Sequence, residues 1–199
     1  MQTSSSRRPI LSVFLLRGPG WVVYLSLLAV FGILVPWQKG LEFLDPVILI
    51  AYACLGGVFA GPAAVQLFDE IPKAVREALG RVAAAVVFGE AMVVVLLAVG
   101  LLTVRLLHRG IFPFDTPTMI GGLALGAALS LALAAMAAWV RMAYSASVAR
   151  SALRAAFVVL LVGFVFRSRW LPDVAWMGAG VGLAVAIVFL ALLAKRVRA

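Results

Sequence analysis

Runs of about twenty apolar residues recur along this chain, and that repetition decides most of what it can become. Each run is long enough to cross a ~30 Å hydrocarbon layer as a helix. Inside lipid the backbone must satisfy its own hydrogen bonds, so a spanning segment is either a helix or part of a closed barrel. The strict alternation of a barrel strand is absent. An all-α, polytopic membrane protein follows. Six spans are expected, at roughly 21–36, 46–65, 80–106, 117–140, 152–166 and 174–194, the fifth starting as early as 142–150. They occupy most of the 199 residues, and the outer connections are too short to bury a core of their own. One transmembrane domain over 1–199 is therefore expected.

The ends of the spans carry direction. Asp45 precedes Pro46, Asp115 and Thr116 precede Pro117, and Asp173 follows Pro172. Such side chains accept hydrogen bonds from free helical N–H groups, and proline suits a first turn. Spans two, four and six thus start alike, on one side of the membrane. With the N-terminus in the cytoplasm, the inner segments hold Arg7, Arg8, Arg17, Lys73, Arg76, Arg81, Arg141, Arg150, Arg154, Lys195, Arg196 and Arg198. The outer ones hold Lys39, Arg105, Arg109, Arg167 and Arg169. This excess follows the positive-inside rule, so both termini are expected in the cytoplasm. It also accounts for the net charge of +9 without nucleic acid as a partner. The apolar run at 10–16 is broken by Arg17-Gly18-Pro19-Gly20, and no small-x-small pattern follows, so no cleavable signal peptide is expected.

Charge is scarce, 13% of the chain, yet LFDEIPKAVREALGR at 67–81 gathers Asp69, Glu70, Lys73, Arg76, Glu77 and Arg81. Acids before Pro72 favour a helix N-terminus there. Lys73–Glu77 and Glu77–Arg81 are each four apart and can pair on one face. Val75, Ala78, Leu79 and Val82 form an apolar side, and Gly80 permits a bend. The spacing predicts a short amphipathic helix on the cytoplasmic surface between spans two and three. It is either a solvated connection or a docking helix.

The layout resembles that of an ABC-2 type permease, the membrane half of an ATP-binding-cassette transporter, in particular the haem-exporter-like or related small six-span permeases. PILSVFLLR, at 9–17, is similar to the amphipathic N-terminal elbow of that family. LFDEIPKAVREALG, at 67–80, is similar to its coupling helix. The resemblance implies a dimer with a second permease copy or paralogue, in the bacterial inner membrane. It implies a cytoplasmic ATPase partner docked on Asp69, Glu70, Lys73, Arg76, Glu77 and Arg81.

No G-x-x-x-x-G-K-[ST] loop occurs, so ATP hydrolysis is expected on a separate subunit and no enzyme activity in this chain. One histidine, His108, and one cysteine, Cys54, form no metal cluster, and no cofactor is expected. G-x-S-x-G is absent. Ser130 lies deep, far from His108 at an outer span end.

Glu90 is the one acid placed within a span. An unpaired carboxylate in hydrocarbon is costly and marks a candidate functional site. It reads as an inter-helix clasp, a residue lining a path, or a proton carrier, with Arg141, Arg150 or Arg154 as candidate partners. Gly57/Gly61, Gly122/Gly126 and Gly178/Gly182 have the spacing that lets helices approach, within the bundle or at a dimer seam. Trp21, Trp37, Trp139, Trp170 and Trp176 fall near span ends, as an aromatic belt would. Two other functions fit the sequence: the substrate-binding membrane subunit of a vitamin or metal uptake transporter, and a non-catalytic scaffold subunit of a membrane complex.

Overall fold

The computed structural model describes residues 25–39, 46–107, 116–167 and 171–198. The expected elbow at 9–17, Asp45, Asp115, His108, Trp21 and Trp170 lie outside them. All regular structure among the described residues is helical. The helices are α1 (Leu25–Gln38), α2 (Pro46–Leu67), α3 (Val75–Leu107), α4 (Thr116–Ala143), α5 (Ala146–Arg167) and α6 (Leu171–Arg198). By length and composition α3, α4 and α6 can each cross a membrane. The chain is a polytopic helical bundle.

α4 is its centre. The apolar window of α4 is 61% buried, against 28% for α3 and 17% for α6. It packs on α2 along one side and on α6 along the other, while α3 lies against α2 and α1. Small residues make this closeness possible: Ala60, Ala63 and Ala64 of α2 meet Ala134, Ala135 and Ala138 of α4 in one core. A second core joins Tyr52 and Phe59 of α2 to Val93 and Leu96 of α3. Along α3 the residues at 78, 82, 85, 89, 93, 96, 100 and 104 are buried, a helical period that aims one stripe inward. Val87, Val94, Leu102 and Leu106 stand on the opposite side, exposed. A soluble domain seldom leaves so continuous an apolar stripe uncovered, whereas hydrocarbon solvates it.

Two of the three small-residue pairs are resolved as internal contacts. A Cβ on Gly57 would come within 2.6 Å of Leu133, and one on Gly61 within 2.6 Å of Leu153. Gly178 lies against Leu125 and Gly182 against Ala128. Gly122 and Gly126 are buried.

The first helix runs slightly past the expected limit at 36. Pro36 does not end the first helix, which continues through Val35–Lys39. The turn before it, Leu28–Leu34, is π-helical. Proline has no N–H to donate, so a carbonyl one turn back loses its partner. The Tyr52 hydroxyl donates to the Phe31 carbonyl, and the single Thr103 hydroxyl proton is shared between the Val99 carbonyl of its own helix at 2.9 Å and the Gly32 carbonyl at 3.2 Å. Side chains of α2 and α3 thus replace what the proline removes.

The separate short helix expected over 67–80 is also not formed. Residues 68–74 are a non-helical link, and α3 then runs unbroken from Val75 through Gly80. At 1.5 Å per residue α3 is about 50 Å long, so its polar start extends well beyond a ~30 Å apolar layer. Gly80 makes no bend, and a Cβ there would meet nothing within 4 Å. α5 starts at Ala146, within the expected range of 142–150, and Ser145 caps it: Val148 N–H lies 3.4 Å from Ser145 Oγ.

These contacts separate two glycines of α3. A Cβ on Gly89 would fall 2.4 Å from the Gly56 carbonyl oxygen, which is backbone and cannot turn aside. Gly89→Val is expected to lower stability in detergent by about 1–3 kcal/mol. Gly80→Ala is expected to raise it by up to about 1 kcal/mol. Thermal unfolding of the two purified variants checks both signs.

Candidate functional site

The charged stretch at the α2–α3 junction is held by one arginine. Arg81, on the second turn of α3, donates to the Leu67 carbonyl at 2.7 Å and to the Glu70 carbonyl at 2.5 Å. Its other nitrogen pairs with Glu77 Oε1 at 2.6 Å, and its guanidinium lies 5.9 Å from the Phe68 ring centre. The first two contacts satisfy the final carbonyl of α2 and one within the link, groups that a helix end leaves open. Glu77 in turn accepts the Lys73 backbone N–H at 2.9 Å, closing the start of α3. That N–H, and after it the Arg81 guanidinium, hold the Glu77 carboxyl below its ordinary range, outside the apolar part of the helix. Asp69 reaches Arg141 at the end of α4, at 3.5 Å.

The six expected docking residues therefore divide. Arg81 and Glu77 are tied into the link, and Asp69 leans on α4. Glu70, Lys73 and Arg76 are exposed. Sequence spacing found the Glu77–Arg81 pair. The expected Lys73–Glu77 side-chain pair is replaced by a bond to the Lys73 backbone. The two carbonyl contacts of Arg81 carry no sequence signal, because they depend on where α2 ends.

Glu90 lies between α2, α3 and α4. Its Oε1 accepts the Ser130 hydroxyl at 2.6 Å. Ser130 is fully buried. Gly56 lies directly beside them: a Cβ there would meet Ser130 Oγ at 2.6 Å and Glu90 Oε1 at 2.7 Å. The absence of a side chain at 56 makes room for the pair. The partner of Glu90 is thus a serine. Arg141 turns to Asp69, and Arg150 donates to the Ala146 carbonyl of its own helix at 3.2 Å. The geometry is that of a clasp between α3 and α4, with room made for it by Gly56 of α2.

An open groove of about 860 Å³ runs along the opposite side of α4. Leu125, Leu129 and Met136 of α4 form its floor. Phe157 and Leu160 of α5 form one wall and Val181 and Val185 of α6 the other, with Phe31 of α1 and Cys54 of α2 at its edge. It exists because α5 and α6 each pack on α4 and α2 rather than mainly on one another. Its lining is almost wholly apolar. Nothing in the sequence marks it, since its walls look like any lipid-facing surface. Among the described residues no three His, Cys, Asp or Glu side chains gather as a metal site.

Compared with protein-family models, with characterised proteins and with solved structures, the chain matches none. What the fold itself defines is a multi-pass helical membrane protein.

The clasp predicts graded effects. Glu90→Gln keeps an oxygen acceptor for Ser130 and is expected to cost under about 1 kcal/mol. Glu90→Ala removes the acceptor from a buried hydroxyl and is expected to cost about 1–3 kcal/mol. Denaturation in detergent followed by tryptophan fluorescence orders the two.

Proposed function

We propose that this chain is the permease subunit of an ATP-driven transporter of the ABC-2 type, coupled to a separate cytoplasmic ATPase through the link between α2 and α3. The observation that supports it is the construction of that link. In an otherwise apolar bundle, Arg81 fastens a non-helical charged segment to the ends of two helices and leaves Glu70, Lys73 and Arg76 facing outward. A surface that is fixed from behind and charged in front suits a docked protein better than a loose connection does.

In this reading the chain has six spans, with both termini and the link in the cytoplasm of a bacterial inner membrane. The segment at 9–17 lies in the inner leaflet as an elbow. A second copy or paralogue completes the transporter. The chain itself catalyses no reaction, and ATP hydrolysis belongs to the partner. Closure of that partner pushes on the link, and α2 and α3 tilt together.

A second reading rests on the groove between α5 and α6. It would serve a membrane subunit that captures an apolar molecule, and this version needs no force on the link.

Charge reversal separates the two. Arg81 must stay, because it holds the link together. Lys73→Glu with Arg76→Glu, in the full chain expressed in native membranes, is expected to cut co-purifying P-loop ATPase activity about tenfold or more. Like charges placed against a partner cost that much or more. Unchanged ATPase recovery from a correctly folded double variant rejects the coupling reading.

A further inference from the structure

The groove and the arginines of α5 belong to one site. α5 reads ASVARSALRAAFVVLLVGFVFR and contains no acid. Arg150, Arg154 and Phe157 stand at i, i+4 and i+7, on a single stripe of that helix. Phe157 lines the groove. At 1.5 Å per residue Arg154 is about 5 Å below it along the helix and Arg150 about 11 Å below it. Both arginines are exposed.

Their depth creates a problem that the protein alone does not solve. The apolar part of α5, residues 155–166, is only about 18 Å long, well short of a ~30 Å hydrocarbon layer. A spanning α5 therefore carries Arg154 to the hydrocarbon boundary or below it. Charged side chains at that depth are costly unless paired. Among the described residues no carboxylate pairs with Arg150 or Arg154; Arg150 gives its Nε to the Ala146 carbonyl. The only acid of α6 is Asp173, in its first turn at the other end. Among the described residues nothing supplies the missing anion.

We infer that the groove between α5 and α6 is an anionic-phospholipid site, with an acyl chain lying against Phe157, Leu160, Val181 and Val185 and the phosphate paired to Arg154 and Arg150. The apolar walls match hydrocarbon. The guanidinium fork matches phosphate oxygens, which it binds in a bidentate manner. This assignment rests on α5 spanning the membrane, as in the proposed six-span reading, but not on coupling to an ATPase, so either can fail without the other.

The test uses the full chain in nanodiscs made from equal parts phosphatidylglycerol and phosphatidylcholine, released into native mass spectrometry. The expected result is retained phosphatidylglycerol at about tenfold preference over phosphatidylcholine, the scale of one to two basic contacts near a membrane surface. Arg150→Gln with Arg154→Gln should abolish the preference. Lys195→Gln with Arg196→Gln removes the same charge from the same end of the bundle and should leave it intact. Val181→Trp fills the groove without changing charge and should reduce retention of both lipids. Should the arginine variant not fold, Val181→Trp and the α6 pair still decide the matter.

No preference in the unaltered chain overturns the proposal. So does a preference lost equally with Lys195 and Arg196, which would mean general surface attraction. If Val181→Trp shifts the ratio of monomer to dimer while lipid retention stays constant, a second copy occupies the groove and the proposal fails. Equal thermal stabilisation by inorganic phosphate in detergent would mean that the anion alone is bound, and would overturn the acyl-chain assignment.

Discussion

A carbonyl in hydrocarbon has no water to turn to, and this constraint shapes the bundle at every irregular point. Helices satisfy it internally for most of the chain. Where regularity fails, a side chain from elsewhere takes over. Tyr52 and Thr103 serve the Phe31 and Gly32 carbonyls around Pro36. Arg81 serves the Leu67 and Glu70 carbonyls where α2 ends. An uncompensated buried carbonyl costs several kcal/mol in lipid, so these donors hold the breaks in place. They also fix neighbours: α1 is attached to α2 and α3, and the link to α3, at the positions where the helices are imperfect.

Close approach is the second condition, and glycine and alanine supply it. Gly56 and Gly89 bring α2 and α3 so near that a Cβ on Gly89 would meet the Gly56 carbonyl. Only then can Glu90 on α3 reach Ser130 on α4 past Gly56. A polar pair joining α3 to α4 past Gly56 of α2 is therefore a product of packing. Hydrocarbon offers no hydrophobic drive between helices, so dispersion contacts and such hydrogen bonds carry the association.

The helical class was legible because its signal is long: apolar runs of some twenty residues admit few alternatives. Small-residue pairs were legible as packing motifs, and Glu90 as the one acid needing a partner. Its partner was not legible. A search by charge favours Arg141, Arg150 or Arg154, yet Ser130, forty residues away, is at the right depth and on the right face. The hydrogen bonding around Pro36 was not legible for a related reason. A proline marks a break in propensity, but tertiary donors override propensity when they supply the lost hydrogen bond. The charged stretch at 67–81 gave its Glu77–Arg81 pair by helical spacing. Its link gave no such signal, since nothing local says that Arg81 will reach back to the end of α2.

The distribution of these fastenings determines which parts can move as a unit. α3 and α4 are joined by Glu90–Ser130, and α2, α3 and α4 are tied again at the charged end by Arg81 and the Asp69–Arg141 pair. α5 rests on Gly61 through Leu153, and α6 on Leu125 and Ala128 through two glycines. Those are contacts of dispersion, which can slide or part without stranding a polar group. A displacement of the link therefore carries the three central helices together, and the strain falls on the seams with α5 and α6. The open groove lies along those seams. Its width is thus the coordinate that a push at the charged end would change, because every stiffer connection is on the other side of α4.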